Sequence, residues 1–326
     1  MLNLPFQYKT KVLSMFGPLG ESWLASVPEV IDKYVTKFDL TNLKFHENLS
    51  VNLILYAECK SFGKIILKIG LPIFNELIYR ETTALEEFNG KSACKCYYSN
   101  LDDGIRILER LVPGETLNNI ENKEERIKLF CDVATSLDVK LTHHIQLPFY
   151  REILDRSVNQ SNESKEKFKS LKPFINVANY LYNEIEDINL PKYLLHADLH
   201  HDNILTSSNG RKAIDPHGFL GEKVLETARF MEKELEKQEV NKENILEIID
   251  LMAKYFKEDK VLLCKVLFID YVLSTCWDIE MNFDEEHING DINNLKLILV
   301  CLNNILSEQN NKGVVFRLDK KKLNRQ

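Results

Sequence analysis

No uninterrupted apolar run in this chain is long enough to cross a bilayer; the longest, around Val261 to Leu273, is broken by Lys265 and Asp270. The opening stretch Met1 to Lys11 mixes Asn, Gln and Lys among its apolar residues and does not match a secretory signal, so a cytoplasmic protein is expected. Cysteine is scattered rather than patterned. Cys59, Cys94, Cys96, Cys131, Cys264, Cys276 and Cys301 are odd in number and lack the spacing of a zinc knuckle or a disulfide scaffold, which leaves reduced structural thiols. A surplus of positive charge is also missing: 42 Lys and Arg stand against 49 Asp and Glu, for a net charge of −7, which disfavours nucleic acid as a partner. No internal repeat is present.

What remains is a chain of 326 residues with 44% hydrophobic content, enough for a substantial core in two domains or one bilobal unit. Much of its acid lies late, at Glu222, Glu226, Asp270, Asp278, Glu280, Asp284, Glu285 and Glu286. Such carboxylates either form a solvated helical face or draw a cationic small molecule to a cleft.

The stretch with most chemistry is His196-Ala197-Asp198-Leu199-His200-His201-Asp202-Asn203, followed by Ile214-Asp215-Pro216. It fits the kinase catalytic-loop pattern H-x-D-L-x-x-x-N with a second carboxylate downstream. An aspartate can take the proton of an attacking hydroxyl, and an amide oxygen and a carboxylate can hold magnesium beside a triphosphate. The surroundings agree: Lys192 to Leu195 and Asn203 to Thr206 are short strand-like runs, Ser207-Ser208-Asn209-Gly210 is a hairpin turn, and Lys212 to Ile214 resumes as a strand that delivers Asp215. The spacing predicts Asp198, Asn203 and Asp215 at one edge of a small hairpin. A metal hydrolase is the competing reading, because His196, His200, His201 and His217 are four of eight histidines, although such sites draw ligands from separated elements with defined spacing.

Upstream, Ile65-Ile66-Leu67-Lys68-Ile69 is a β-branched run with one lysine in the middle, the expected phosphate anchor. A lysine inside such a strand is costly unless paired. The helix predicted from Asn75 to Asn89 offers Glu81, with Glu76 second. Arg106 to Leu111 reads as a strand broken at Pro113-Gly114, a connector between lobes where Glu109 and Leu111 would offer main-chain groups to an adenine ring.

On these residues the chain resembles the aminoglycoside phosphotransferases, and within them the branch of streptomycin kinases and hydroxyurea resistance kinases. The resemblance runs from Glu21-Ser22-Trp23-Leu24 through Leu67-Lys68, Leu108 to Gly114, Leu195 to Leu205 and Ala213 to Gly218 with Gly221-Glu222, and ends near Val272 to Glu280 with Trp277. It implies an α+β, bilobal, protein-kinase-like fold, with a small β-rich N-terminal lobe and a larger, mainly helical C-terminal lobe. It implies Asp198 as the base, Asn203 and Asp215 as magnesium ligands, and Lys68 on the nucleotide phosphates with Glu81 as ion-pair partner. It implies ATP as the nucleotide, with GTP as a variant. Three positions depart from the family pattern. Ala197 stands where glycine is usual. The phosphate-covering segment Glu47 to Asn52 lacks glycine and has only Ser50 and Asn52 as polar candidates for nucleotide contact. Glu226 stands where aspartate is usual, and no catalytic part is assigned to it.

The expected organisation is a nucleotide-binding lobe over residues 1 to 112, with a leading helix at 20 to 38, and a catalytic and acceptor-binding lobe over 113 to 326. The polar segment Asp155 to Lys169 is expected to be a mobile loop or a solvent-exposed helix, and the basic tail Lys320-Lys321-Lys322 a frayed end. The expected activity moves the γ-phosphoryl of ATP to a hydroxyl of a cationic, streptomycin-like small molecule, linking the chain to antibiotic resistance or secondary metabolism. Choline or a sugar derivative is the alternative acceptor, and a nucleotide-binding relative without catalysis the alternative state. Neither acceptor nor oligomeric state can be read from these residues.

Overall fold

The computed structural model describes residues 4–47, 49, 51–71 and 75–309. Backbone contacts group them into two compact units: residues up to Glu115 with Leu205–Ile214, and Thr116–Ile204 with the chain from Asp215 onward.

The first unit opens with α1 (Phe6–Phe38), longer than the predicted helix and bent where Gly17 takes a φ of 50° ahead of Pro18. Its Tyr8, Val12, Trp23, Val27, Ile31 and Tyr34 recur on one side and are buried. They meet a five-stranded antiparallel sheet of β1 (Thr41–Phe45), β2 (Leu53–Cys59), β3 (Gly63–Ile69), β4 (Cys96–Asn100) and β5 (Ile105–Glu109), in the order β1-β2-β3-β5-β4. Successive strand residues face opposite ways. The odd-numbered Leu53, Leu55, Ile65, Leu67, Ile69, Ile105 and Ile107 therefore join α1 in one apolar core. Lys68 and Arg106, opposite one another in the β3–β5 register, point to the other face, where α2 (Asn75–Phe88) supplies Glu81.

The hairpin of β7 (Ile204–Ser207) and β8 (Gly210–Ala213) was expected in the second lobe. Its contacts place Leu205–Ile214 in the first unit, because the Cys94 N–H donates to the Ala213 carbonyl (2.8 Å), the Ala213 N–H to the Ser92 carbonyl (2.8 Å), and the Gly114 N–H to the Thr206 carbonyl (3.1 Å). Cys94 precedes β4 and Cys96 opens it, and neither forms a disulfide.

The second unit contains α3 (Lys123–Ser136), α4 (Tyr150–Glu163), α5 (Lys172–Asp187), β6 (Lys192–Leu195), β9 (Phe219–Glu222), α6 (Ala228–Leu235), α7 (Lys242–Phe256), α8 (Lys260–Glu280) and α9 (Glu285–Gln309). Helix α8 is apolar on nearly all sides and forms the centre of this unit. Helix α4 takes in much of the polar segment and buries Leu154, Ser157 and Ser161. Strands β6 and β9 pair antiparallel, Leu195 opposite Phe219, so the segment that leaves β6 and the segment that enters β9 lie side by side. No described helix is long and apolar enough to cross a membrane.

Candidate active site

Past Leu195 the backbone turns sharply, and Ala197 sits at a φ of 62°, the left-handed region that favours glycine. The turn is held by Glu226: one carboxylate oxygen accepts the His196 N–H at 2.7 Å and the other the Ala197 N–H at 3.0 Å. The His196 carbonyl accepts the His217 N–H at 2.8 Å, which ties the segment after Asp215 to the segment before Asp198. Asn203 ends a short 3-10 turn, and its amide nitrogen donates to the Asp198 carbonyl at 2.8 Å and to Asp198 Oδ2 at 3.2 Å. The amide plane is fixed with its oxygen turned away from these acceptors. Asp215 adopts a φ of 57° and is half-buried.

Three cationic or imidazole groups approach the Asp198 carboxylate. His200 Nε2 and His217 Nε2 lie 3.7 and 3.6 Å from Oδ2, and Arg229 Nε lies 3.8 Å from Oδ1. Burial raises the Asp198 pKa above the usual carboxylate range; His200 and Arg229 oppose the rise, whereas Asp270 and Asp215 add to it. Arg229 is shared, with Nη1 at 2.9 Å from Glu232 and Nε at 3.4 Å from Asp270, which in turn accepts the Tyr150 hydroxyl at 2.7 Å. Burial works against the Arg229 charge, but Asp270, Glu232 and Asp198 outweigh it and push its pKa up. Burial also raises Glu226 to about 7 and Glu232 to about 8.

The histidines do not assemble as a metal hydrolase would need. His201 Nε2 is 2.6 Å from Glu234 and its ring stacks on Phe230, while His196 is fully buried. Among the described residues, Asp278, His287 and Asp291 form the group whose ligand atoms lie mutually within 4.8 Å, and none of the four motif histidines belongs to it. The late acidic residues divide in two. Glu222, Glu226 and Asp270 are buried and partnered, against the reading of a solvated face, whereas Glu280, Asp284, Glu285 and Glu286 are exposed.

In the first unit Lys68 Nζ is 2.9 Å from Glu81 Oε1, and Arg106 Nε is 3.5 Å from the same oxygen. Glu76 instead lies near Arg80, at 3.8 Å. Glu109 is more engaged than a connector strand end requires: its N–H donates to the Lys95 carbonyl at 2.7 Å, and its carboxylate accepts the Lys95 N–H at 3.0 Å and pairs with Lys212 at 2.8 Å. Leu111 is buried, Asn52 is half-buried, and Ser50 lies outside the described residues. Sequence reasoning gave Glu226 no catalytic part and assigned no role to Arg229 or Arg106. Of these, Glu226 had a signal, a carboxylate at the position where the family keeps one.

The model of the aminoglycoside/hydroxyurea antibiotic resistance kinase family matches residues 64–281. Streptomycin 6-kinase of Streptomyces glaucescens is 21% identical over 236 residues, 68% of this chain and 72% of that protein. Among solved structures, a choline/ethanolamine kinase family protein from Mesorhizobium loti superposes with a TM-score of 0.61 at 12% identity, covering 82% of this chain and 94% of that one. Amicoumacin kinase, in complex with AMP-PNP, Ca2+ and Ami, superposes with a TM-score of 0.57 at 14% identity, covering 91% of this chain and 96% of that one. The fold is thus the bilobal, kinase-like α+β arrangement. This chain belongs to the aminoglycoside/hydroxyurea antibiotic resistance kinase family and is a phosphotransferase that acts on hydroxyl groups.

Proposed function

We propose that the protein transfers the γ-phosphoryl of ATP to a hydroxyl of a cationic small molecule of the aminoglycoside type, with a streptomycin-like antibiotic the first candidate. The observation that carries this reading is the locked geometry of Asp198. Its carboxylate is aimed by Asn203 and by a turn strapped to Glu226, and it can accept the proton of an acceptor hydroxyl. Lys68, partnered by Glu81, is the group we assign to the α and β phosphates. Asn203 and Asp215 suit magnesium in donor type: both offer hard oxygens, and no hydrogen bond among the described residues uses the Asn203 Oδ1. When bound there, the ion would supply positive charge beside the triphosphate.

A cationic acceptor is supported by the half-buried acids Asp278 and Asp291, which both lie within 3.5 Å of His287, and by the net charge. The streptomycin 6-kinase relative points the same way. The superposition on a choline/ethanolamine kinase family protein keeps a smaller quaternary alcohol as the second reading. Joint presence of Lys68, Asp198, Asn203 and Asp215 argues against a relative that only binds nucleotide. The test is ATP turnover against streptomycin, other aminoglycosides and choline, repeated with GTP, for the wild type and Asp198→Asn. Streptomycin-dependent turnover that falls by roughly 10² to 10⁴ in the variant, with ATP affinity retained, is expected. Turnover with choline alone would move the assignment to the second reading, and an Asp198→Asn enzyme as fast as wild type would remove Asp198 as the base.

A further inference from the structure

Arg106 is fully buried on β5, on the face of the sheet that carries Lys68. None of its Nε, Nη1 and Nη2 atoms has a hydrogen-bond acceptor among the described residues. A guanidinium in that state costs stability, and an apolar side chain of similar length would be as stable or more so. A buried donor set left unused calls for a state of the molecule in which it is used.

That state follows from the sharing of one oxygen. Lys68 Nζ and Arg106 Nε both face Glu81 Oε1, at 2.9 and 3.5 Å, and the Glu81 side chain is 10% exposed. If Lys68 turns its amine to a phosphate, it loosens its hold on a carboxylate that water barely reaches. An uncompensated buried carboxylate is expensive, so the lysine would be held back unless a second cation stood ready. We propose that Arg106 is a positioning residue for nucleotide binding, which takes over the Glu81 carboxylate as Lys68 engages the phosphates of ATP. This rests on the reading of Lys68 as the phosphate anchor. Arg106 also adds a second cation beside Glu81, which favours a polyanion where the Glu47 to Asn52 segment has no glycine to bring backbone N–H groups close.

The signature is that stability and affinity move apart. Full-length Arg106→Met and Arg106→Lys proteins are compared with wild type by thermal melting without nucleotide, and by calorimetric titration with ATP and with adenosine, both with magnesium. Arg106→Met is expected to melt no lower than wild type, to bind ATP about tenfold more weakly and to bind adenosine as before. Arg106→Lys is expected to recover part of the ATP affinity, and it decides the matter if the Met variant does not fold. ATP affinity within about twofold of wild type in both variants would overturn the proposal, as would equal losses for ATP and adenosine. If wild type binds adenosine but gains nothing from the triphosphate, the reading of Lys68 falls and Arg106 with it; if wild type gains and both variants gain equally, only the role of Arg106 falls.

Discussion

The cluster on the sheet and the cluster around the catalytic loop balance their charges in opposite ways. On the sheet, Lys68 and Arg106 both approach the Glu81 carboxylate. Around the loop, the single guanidinium of Arg229 is divided among Asp198, Asp270 and Glu232. A surplus of cations suits a polyanion, and a surplus of carboxylates suits metal ions and a cationic acceptor. The contrast agrees with the proposed roles, phosphates at Lys68 and metal and acceptor around Asp198.

Three changes would break or sharpen this contrast. The largest effect is expected for Lys68→Met, which removes one cation from the sheet cluster. The loss of a charge-assisted contact should raise KM for ATP about ten- to a hundredfold, while Arg106 still partners Glu81 and the melting temperature changes little. A KM within about twofold of wild type would erase the anionic role of this cluster. Glu226→Gln removes one carboxylate from the loop and leaves one of two backbone N–H groups without an acceptor, so a several-fold loss of kcat is expected. Its pH signature has a definite sign. Because the fold raises Glu226 from the ordinary range near 4.5 to about 7, its favourable contribution is complete at acid pH and fades as pH climbs through about 7. Melting curves from pH 5 to 8 should show that decline, on the order of 1–3 kcal/mol, in wild type and less of it in the variant. The smallest effect is expected for Ala197→Gly, which changes no charge: relief of the left-handed backbone should stabilise by no more than ~1 kcal/mol and leave KM for ATP unchanged.

The parts of the fold that local chemistry controls were legible. The β6 strand, the Asn-Gly hairpin and the helix from Asn75 lie where strand-like runs, turn residues and periodicity put them. The choice of Glu81 over Glu76 reduces to which side of α2 each residue occupies, and only Glu81 is on the buried one. Tertiary burial of charge was not legible. Arg229, Glu232 and Glu234 lie in a stretch as polar as any exposed helix, and only the packing of α6 against its neighbours removes them from water. Arg106 was hidden by its strand, where one charged residue among Ile105, Ile107 and Leu108 reads as an edge position. The N-terminal half of α1 escaped because Gly17-Pro18 looks like a terminus, yet the helix resumes after it.

Alternation along β3 has a consequence for how this site can evolve. A slip of one residue would carry Lys68 into the company of Leu53, Leu55 and Ile105, and would expel Leu67 from it. Each displaced aliphatic side chain would forfeit roughly 1.5–3 kcal/mol, so greasy residues that never meet a nucleotide act as the ruler that keeps the amine on its proper side. Insertions or deletions within β3 should therefore be purged as folding defects before they are ever tested as catalytic ones.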